Sequence, residues 1–127
     1  MNIMFCGDSH AEDGILIATL SLLKNTSVPL HLYILTMQAE GYEAFSEQAF
    51  NLIKKKIKEK DPNNTAELID CTELFKKEPP RANMETRFTP YAMLRLFADQ
   101  ISQIPDRILY LDDDIIVRKD ISDFYSQ

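Results

Sequence analysis

Glycine, cysteine and histidine are scarce in this sequence, and their scarcity excludes several kinds of site. The 127 residues include only three glycines, Gly7, Gly14 and Gly41, so neither a P-loop nor a dinucleotide-binding fingerprint can be built. Two cysteines and two histidines at scattered positions give no zinc-ligand spacing. Both cysteines lie beside apolar, strand-like segments, which fits buried, reduced thiols better than a disulfide framework. Because no glycine-rich phosphate-binding loop can be built, a metal ion or basic side chains must neutralise the phosphates of any nucleotide that binds.

Long apolar runs and an excess of positive charge are also missing. No apolar run approaches the ~20 residues that span a bilayer, and Asp8 and His10 come too early for the apolar region of a signal peptide. We therefore expect a cytoplasmic protein. The net charge of -6 argues against a nucleic-acid partner. Length and composition, with 45% hydrophobic and 27% charged residues, are typical of one soluble domain over 1–127.

Apolar segments of strand length alternate with segments of helical periodicity along the chain. This alternation predicts an α/β fold with a mainly parallel, doubly wound sheet flanked by helices. Strands are predicted at 1–6, 29–36, 66–70 and from 107, helices at 11–24, 40–60 and 90–102, a helical turn at 73–77, a loop at 77–86, and a further element from 121.

Three consecutive carboxylates, Asp112, Asp113 and Asp114, interrupt an apolar segment that runs from Arg107 to Val117. On an extended chain successive side chains point to opposite faces, so Asp112 and Asp114 are expected to share one side while Asp113 points away. Two hard oxygen ligands on one side suit Mg²⁺ or Mn²⁺, with phosphate oxygens completing the shell. A solvated acidic turn is the alternative.

A second polar loop, residues 7–10, follows the first strand. Ligands of parallel α/β sheets bind beyond the carboxyl ends of the strands, so this loop and the acidic cluster are expected at one binding edge. Arg95 is a candidate for a phosphate or sugar contact, with a surface salt bridge as its alternative. Asp8 and His10 are candidates for ligand contacts in this loop. The alternative for Asp8 is a helix cap, and the alternative for His10 is an exposed loop residue without a ligand.

Four segments together resemble family 8 of the glycosyltransferases, the retaining group that includes lipopolysaccharide galactosyl- and glucosyltransferases and glycogenin. Arg107 to Val117 is similar to the family's V-L-Y-L-D-x-D-I-I-V segment, a specific signal because the apolar flanks, Tyr110 and the Asp pair match together. The other three are 2–10, similar to the first strand and its loop, 18–25, similar to the S-L-x-x-N helix, and 91–96, similar to the Y-x-R-L helix.

The resemblance implies the N-terminal, nucleotide-sugar-binding part of a GT-A fold that uses a UDP-sugar and Mn²⁺ or Mg²⁺. The family often has a tyrosine that packs on uracil at the position of Ala11, so the base contact is expected to weaken or to move to another side chain. The implied roles are metal binding for Asp112 and Asp114, contacts to uracil and ribose for Asp8, Ser9, His10 and Ala11, a position near the ribose or sugar for Asp113, and a donor-sugar or diphosphate contact for Arg95.

The implied reaction is metal-dependent transfer of a hexose from a UDP-sugar to a glycan or lipooligosaccharide acceptor, with retention. Family members continue past this length and supply a histidine as third metal ligand, so we expect a fold truncated after the D-x-D strand. The catalytic residues and the acceptor side would then lie outside the chain. The isolated chain is expected to bind metal weakly and to be inactive.

Partners and alternatives complete the expectations. A peripheral position at the inner membrane face is expected through a region beyond the chain. Homodimerisation is expected through apolar surface at Phe124 and Tyr125.

The alternative functions are a non-catalytic nucleotide-binding fragment and a metal-dependent phosphohydrolase with an Asp nucleophile. The phosphohydrolase pattern fits less well, because the Asp cluster comes late in the chain and no Thr follows it.

Overall fold

The computed structural model describes residues 1–77 and 90–127. Most of the loop predicted at 77–86 lies outside these residues. None of the helices in the described ranges is long and apolar enough to cross a membrane. The elements of the described residues are β1 Asn2–Cys6, α1 Glu12–Asn25, β2 His31–Thr36, α2 Glu47–Lys60, β3 Thr65–Asp70, α3 Thr72–Lys77, β4 Leu109–Tyr110 and α4 Ser122–Ser126, with 3-10 helices at Ser9–Ala11 and Pro90–Gln100.

The strands of the described residues form one parallel sheet in the order β3-β2-β1-β4. Parallel neighbours need a crossover connection, and α1 and α2 supply it between β1 and β2 and between β2 and β3. The sheet centre lies at β1, where Ile3, Met4 and Phe5 are all buried, as in a strand covered on both faces. The predicted α/β fold with a parallel sheet is therefore confirmed.

Two apolar clusters cover the two faces of the sheet. Ile3 and Phe5 belong to the cluster that includes α1 and α2, whereas Met4 belongs to the cluster that includes the 3-10 helix Pro90–Gln100. This division follows from the alternation of side chains along a strand. The helix predicted at 11–24 is present as α1, and its buried residues are Ile15, Ala18, Thr19, Leu22 and Leu23.

Helix α2 begins at Glu47, so its predicted start at residue 40 is wrong. Gly41 has a φ of 81°, a left-handed conformation that glycine adopts readily and that a helix interior excludes. The Oγ of Ser46 then accepts a hydrogen bond of 3.1 Å from the backbone N–H of Ala49 and caps α2. Residues before Ser46 consequently form a separate loop over the carboxyl edge of the sheet, with a bridge between Asp8 and Ala44.

Strand β4 is only two residues long, and extended structure does not continue through the acidic cluster. The N–H of Leu111 still donates to the carbonyl of Met4 at 3.0 Å, but Asp113 and Asp114 form a turn. Side chains alternate only while the chain is extended, and Asp112, Asp113 and Asp114 all belong to the lining of one cavity. The extended chain that was assumed at Asp113 is therefore absent, and the direction of its side chain stays a prediction.

Candidate functional site

A cavity of about 480 Å³ opens at the carboxyl edge of the sheet, between the loop after β1 and the loop after β4. This is the edge at which parallel α/β sheets bind ligands, and both loops singled out in the sequence contribute to it. The lining residues are Cys6, Gly7, Asp8, His10, Ala11, Tyr42, Tyr91, Ala92, Tyr110, Asp112, Asp113 and Asp114.

Asp8 is buried, with 6% of its surface exposed, and hydrogen bonds within its own loop hold its carboxylate. Its Oδ1 accepts from the backbone N–H of His10 at 3.1 Å, and its Oδ2 lies 3.4 Å from His10 Nδ1. Asp8 thus caps the 3-10 helix Ser9–Ala11 and also lines the cavity. Gly7 makes this tight loop possible, because a Cβ atom there would lie 2.6 Å from Cβ of Ala11.

The cavity carries an excess of negative charge. Burial raises the pKa of Asp113, and the charges of Asp114, Asp112 and Asp8 raise it further. Within residues 1–77 and 90–127, no lysine or arginine forms an ion pair with these four carboxylates. A bound cation would relieve this repulsion.

The donor set suits a hard divalent cation, because carboxylate oxygens are the ligands that Mg²⁺ and Mn²⁺ prefer. In the part of the chain that the structure describes, no group of three His, Cys, Asp or Glu side chains could hold a metal by itself. Asp112 and Asp114 would therefore leave coordination positions for other oxygens, such as those of a diphosphate. That Asp112 and Asp114 bind a metal ion stays a prediction.

Tyrosines supply much of the remaining lining. Tyr91 is 1% exposed, and its ring meets that of Tyr42 edge to face, with centroids 5.6 Å apart and planes at 69°. The guanidinium carbon of Arg95 lies 5.5 Å from the centroid of the Tyr110 ring, a distance typical of a cation–π contact. Burial is the main cause that raises the pKa of Tyr91 and of Tyr110 to about 12, so both phenols stay protonated at neutral pH.

Two predicted site residues lie beside the cavity rather than in its lining. Ser9 lines an adjacent cavity that shares His10 and Tyr42 with the first. Arg95 is exposed and reaches the site through its contact with Tyr110. The other predicted residues, Asp8, His10, Ala11, Asp112, Asp113 and Asp114, all line the cavity.

Sequence reasoning missed Cys6 and Tyr42 as parts of the lining. Burial, together with the charge of Cys71, raises the pKa of the Cys6 thiol far above its usual value, so Cys6 contributes a neutral thiol and no nucleophilic thiolate. Tyr42 falls within the helix predicted at 40–60. The signal that could have placed it correctly is the preceding Gly41, whose turn conformation separates Tyr42 from the helix.

Comparisons with known proteins identify the fold and the family. Comparison with curated proteins finds no significant match. Among solved structures, the fold is similar to that of the galactosyltransferase LgtC in complex with donor and acceptor sugar analogues, with a TM-score of 0.70 and 20% sequence identity over 100% of this chain and 42% of that chain. The chain thus spans less than half the length of LgtC, and the likeness confirms the GT-A fold. Residues 2–126 match the family "Glycosyl transferase family 8", so the chain belongs to glycosyl transferase family 8.

Proposed function

We propose that the chain binds the nucleoside diphosphate of a UDP-sugar together with Mn²⁺ or Mg²⁺ in the cavity of about 480 Å³. In this proposal it supplies the donor site for metal-dependent transfer of a hexose, with retention, to a glycan or lipooligosaccharide acceptor. Family membership over residues 2–126 supports glycosyl transfer, and enzymes of this family and fold are typically dependent on a divalent metal. The LgtC complex with donor and acceptor sugar analogues supports the same two classes of partner.

Asp112 and Asp114 would hold the metal ion, with diphosphate oxygens in the positions that the protein leaves open. When bound, the cation offsets negative charge that develops on the departing diphosphate. Asp113 lies at the same cavity, where its position beside the other two carboxylates suits a contact to a ribose or sugar hydroxyl. Arg95, beside Tyr110, would contact an oxygen of the donor sugar or of the diphosphate.

The loop after β1 would take the nucleoside. The carboxylate of Asp8 is fixed by the His10 N–H, so it is pre-oriented toward a polar group of the ligand. Ala11 is only 4% exposed and offers no aromatic surface. Tyr42 lines the cavity and is held by Tyr91, so it supplies the aromatic surface on which the base packs.

One observation carries the proposal: Asp8, Asp112, Asp113 and Asp114 meet at one cavity with no ion-pair partner from Lys or Arg among the described residues. A purely structural cluster of four carboxylates would cost stability through mutual repulsion. A site that binds a cation gains affinity from the same arrangement.

Calorimetric titration with UDP, with and without Mn²⁺, tests the proposal. Wild-type protein should bind UDP more tightly with Mn²⁺, and Asp112→Asn and Asp114→Asn should abolish that gain. Asp123→Asn is the matched control, because Asp123 is an exposed carboxylate outside the cavity lining. UDP binding that is indifferent to Mn²⁺ contradicts the proposal, and hydrolysis of a generic phosphate ester would favour a phosphohydrolase.

A further inference from the structure

Two side chains of α1 hold both backbone polar groups of Val117, the residue that follows the acidic cluster by three positions. The Val117 N–H donates to Ser21 Oγ at 2.8 Å, and its carbonyl accepts from Asn25 Nδ2 at 2.8 Å. Val117 itself is buried, with 7% exposed, so losing either partner would leave a largely buried backbone group unpaired. The segment after the carboxylates is thus fixed to α1.

The side chains of Ser21 and Asn25, here called the clamp, are themselves held by hydrogen bonds. The Ser21 hydroxyl donates to the Ala18 carbonyl at 2.7 Å, which leaves its oxygen lone pairs for the Val117 N–H. The Asn25 amide donates to the Ser21 carbonyl at 2.9 Å as well as to Val117, so both of its N–H groups are used. The clamp is therefore ordered without a ligand.

A third contact holds the segment at its other end. A Cβ atom at Gly14 would overlap the backbone carbonyl oxygen of Asp113, so the absence of a side chain lets Asp113 rest directly on α1. Gly14, Ser21 and Asn25 are separated by seven and then four positions, which puts them on one stripe of a helix with 3.6 residues per turn. One stripe of α1 thus carries all three contacts.

The chain from Asp113 to Val117 is only slightly longer than the distance that it spans along α1. Gly14 and Ser21 are about 10 Å apart along the helix axis, and the four residue steps from Asp113 to Val117 reach at most about 14 Å. On the other side of the cluster, Leu111 is bonded to Met4 of β1. The backbone that carries Asp112 and Asp114 is consequently held between a strand and a helix.

From this arrangement we infer that Gly14, Ser21 and Asn25 are positioning residues for the Asp112–Asp114 cluster. They do not touch the cavity, but they fix the backbone that aims its carboxylates. The inference rests on the proposed function for what the carboxylates bind. It predicts that loosening the clamp lowers metal-dependent UDP affinity, although no group that contacts the nucleotide has been removed.

Metal-dependent UDP binding of clamp variants is the first readout. Ser21→Ala and Asn25→Asp should each weaken Mn²⁺-dependent UDP binding about tenfold, the lower end of what residues that orient metal ligands contribute. Ser21→Thr keeps the hydroxyl and should restore affinity. The control is Asn64→Ala, because Asn64 forms two buried hydrogen bonds at the opposite edge of the sheet and should lower stability without changing metal-dependent affinity.

Amide hydrogen exchange without any ligand is the second readout, and it separates this inference from the proposed function. Ser21→Ala and Asn25→Asp should speed exchange within residues 112–117, whereas Asn64→Ala should leave that segment unchanged. Unchanged exchange at 112–117 in both clamp variants overturns the inference, even if wild-type protein binds UDP and Mn²⁺ as proposed. Absence of Mn²⁺-dependent binding by wild-type protein overturns the proposed function, and exchange then decides the clamp alone.

Discussion

The phenol of Tyr91 donates a hydrogen bond of 2.6 Å to the backbone carbonyl of Met37. This bond joins the 3-10 helix Pro90–Gln100 to the residue that follows β2, and both partners are buried. It also fixes the ring against which Tyr42 packs. One wall of the candidate donor site therefore depends on a hydrogen bond that lies beneath it.

Tyr91→Phe should lower the free energy of unfolding by about 1–3 kcal/mol at neutral pH, because the Met37 carbonyl loses its buried partner. The pH dependence should change as well. Burial raises the pKa of Tyr91 from 10.0 to about 12, so the folded state holds the phenolic proton more tightly than the unfolded state does. The stability that the protein gains from holding this proton is complete below pH 10 and is lost as the pH rises toward about 12.

Urea denaturation at neutral pH and at about pH 11 measures both effects. Wild-type protein should lose more stability between the two conditions than Tyr91→Phe does. An equal loss in the two proteins would show that the Tyr91 proton is not linked to folding.

Gly14→Ala should destabilise the protein despite the better helix propensity of alanine. The substitution gains at most the about 1 kcal/mol of a helix interior, because Gly14 lies in the first turn of α1. Its Cβ would overlap the Asp113 carbonyl oxygen, and overpacking typically costs about 1–3 kcal/mol. Urea denaturation should show a net loss, whereas Asp13→Ala at the exposed neighbouring position should change stability little. A Gly14→Ala protein more stable than wild type would mean that the acidic turn can move away from α1 freely.

Local sequence signals predicted β1, β2 and α1 well, because their apolar residues follow a clear pattern. They failed where a single residue overrides the pattern. Tyr42 has helical spacing to Phe45, which extended the predicted α2, but Gly41 turns the chain and Ser46 starts the helix. Spacing alone does not reveal such a break.

The candidate site was predicted in part, from topology. The rule that parallel strands end at one edge brought Asp8 and Asp112 together correctly, and this needed no side-chain detail. The backbone at Asp113 was not predicted, because an extended chain was assumed there, whereas Asp113 and Asp114 form a turn. The hydrogen bonds from α1 side chains to Val117 were not predicted either. They join residues that are separated by 92 and by 96 positions, and such distant pairs leave no local signal in the sequence.

Tyr42→Ala should weaken UDP binding about tenfold or more, because stacking of a base on an aromatic ring contributes about 1–3 kcal/mol. Tyr42→Phe keeps the ring and should bind nearly as wild type does. Binding of inorganic pyrophosphate with Mn²⁺ should be equal in all three proteins, since it has no base. Equal losses for UDP and pyrophosphate in Tyr42→Ala would instead indicate general damage to the site.

Asn64→Ala should lower the free energy of unfolding by about 1–3 kcal/mol, the cost of one buried group left unpaired. The side chain accepts from the Leu30 N–H at 2.8 Å and donates to the Ile57 carbonyl at 2.7 Å. The Ile57 carbonyl keeps the Asp61 N–H as a second donor at 3.2 Å, so the Leu30 N–H is the group that loses its partner. Chemical denaturation measures the loss. Asn63→Ala, at the exposed neighbour, is the control, and a similar small effect at both positions would refute the role of Asn64.

Paramagnetic broadening of backbone amide signals by Mn²⁺ in the presence of UDP tests most directly that Asp112 and Asp114 hold a metal at the nucleotide site. Substoichiometric Mn²⁺ with UDP should broaden amides of residues 111–115 and 7–11 first, and Asp112→Asn with Asp114→Asn should remove this broadening. Broadening centred instead on the groove lined by Glu47, Glu67 and Asp70, or none beyond that seen with free Mn²⁺, would contradict it.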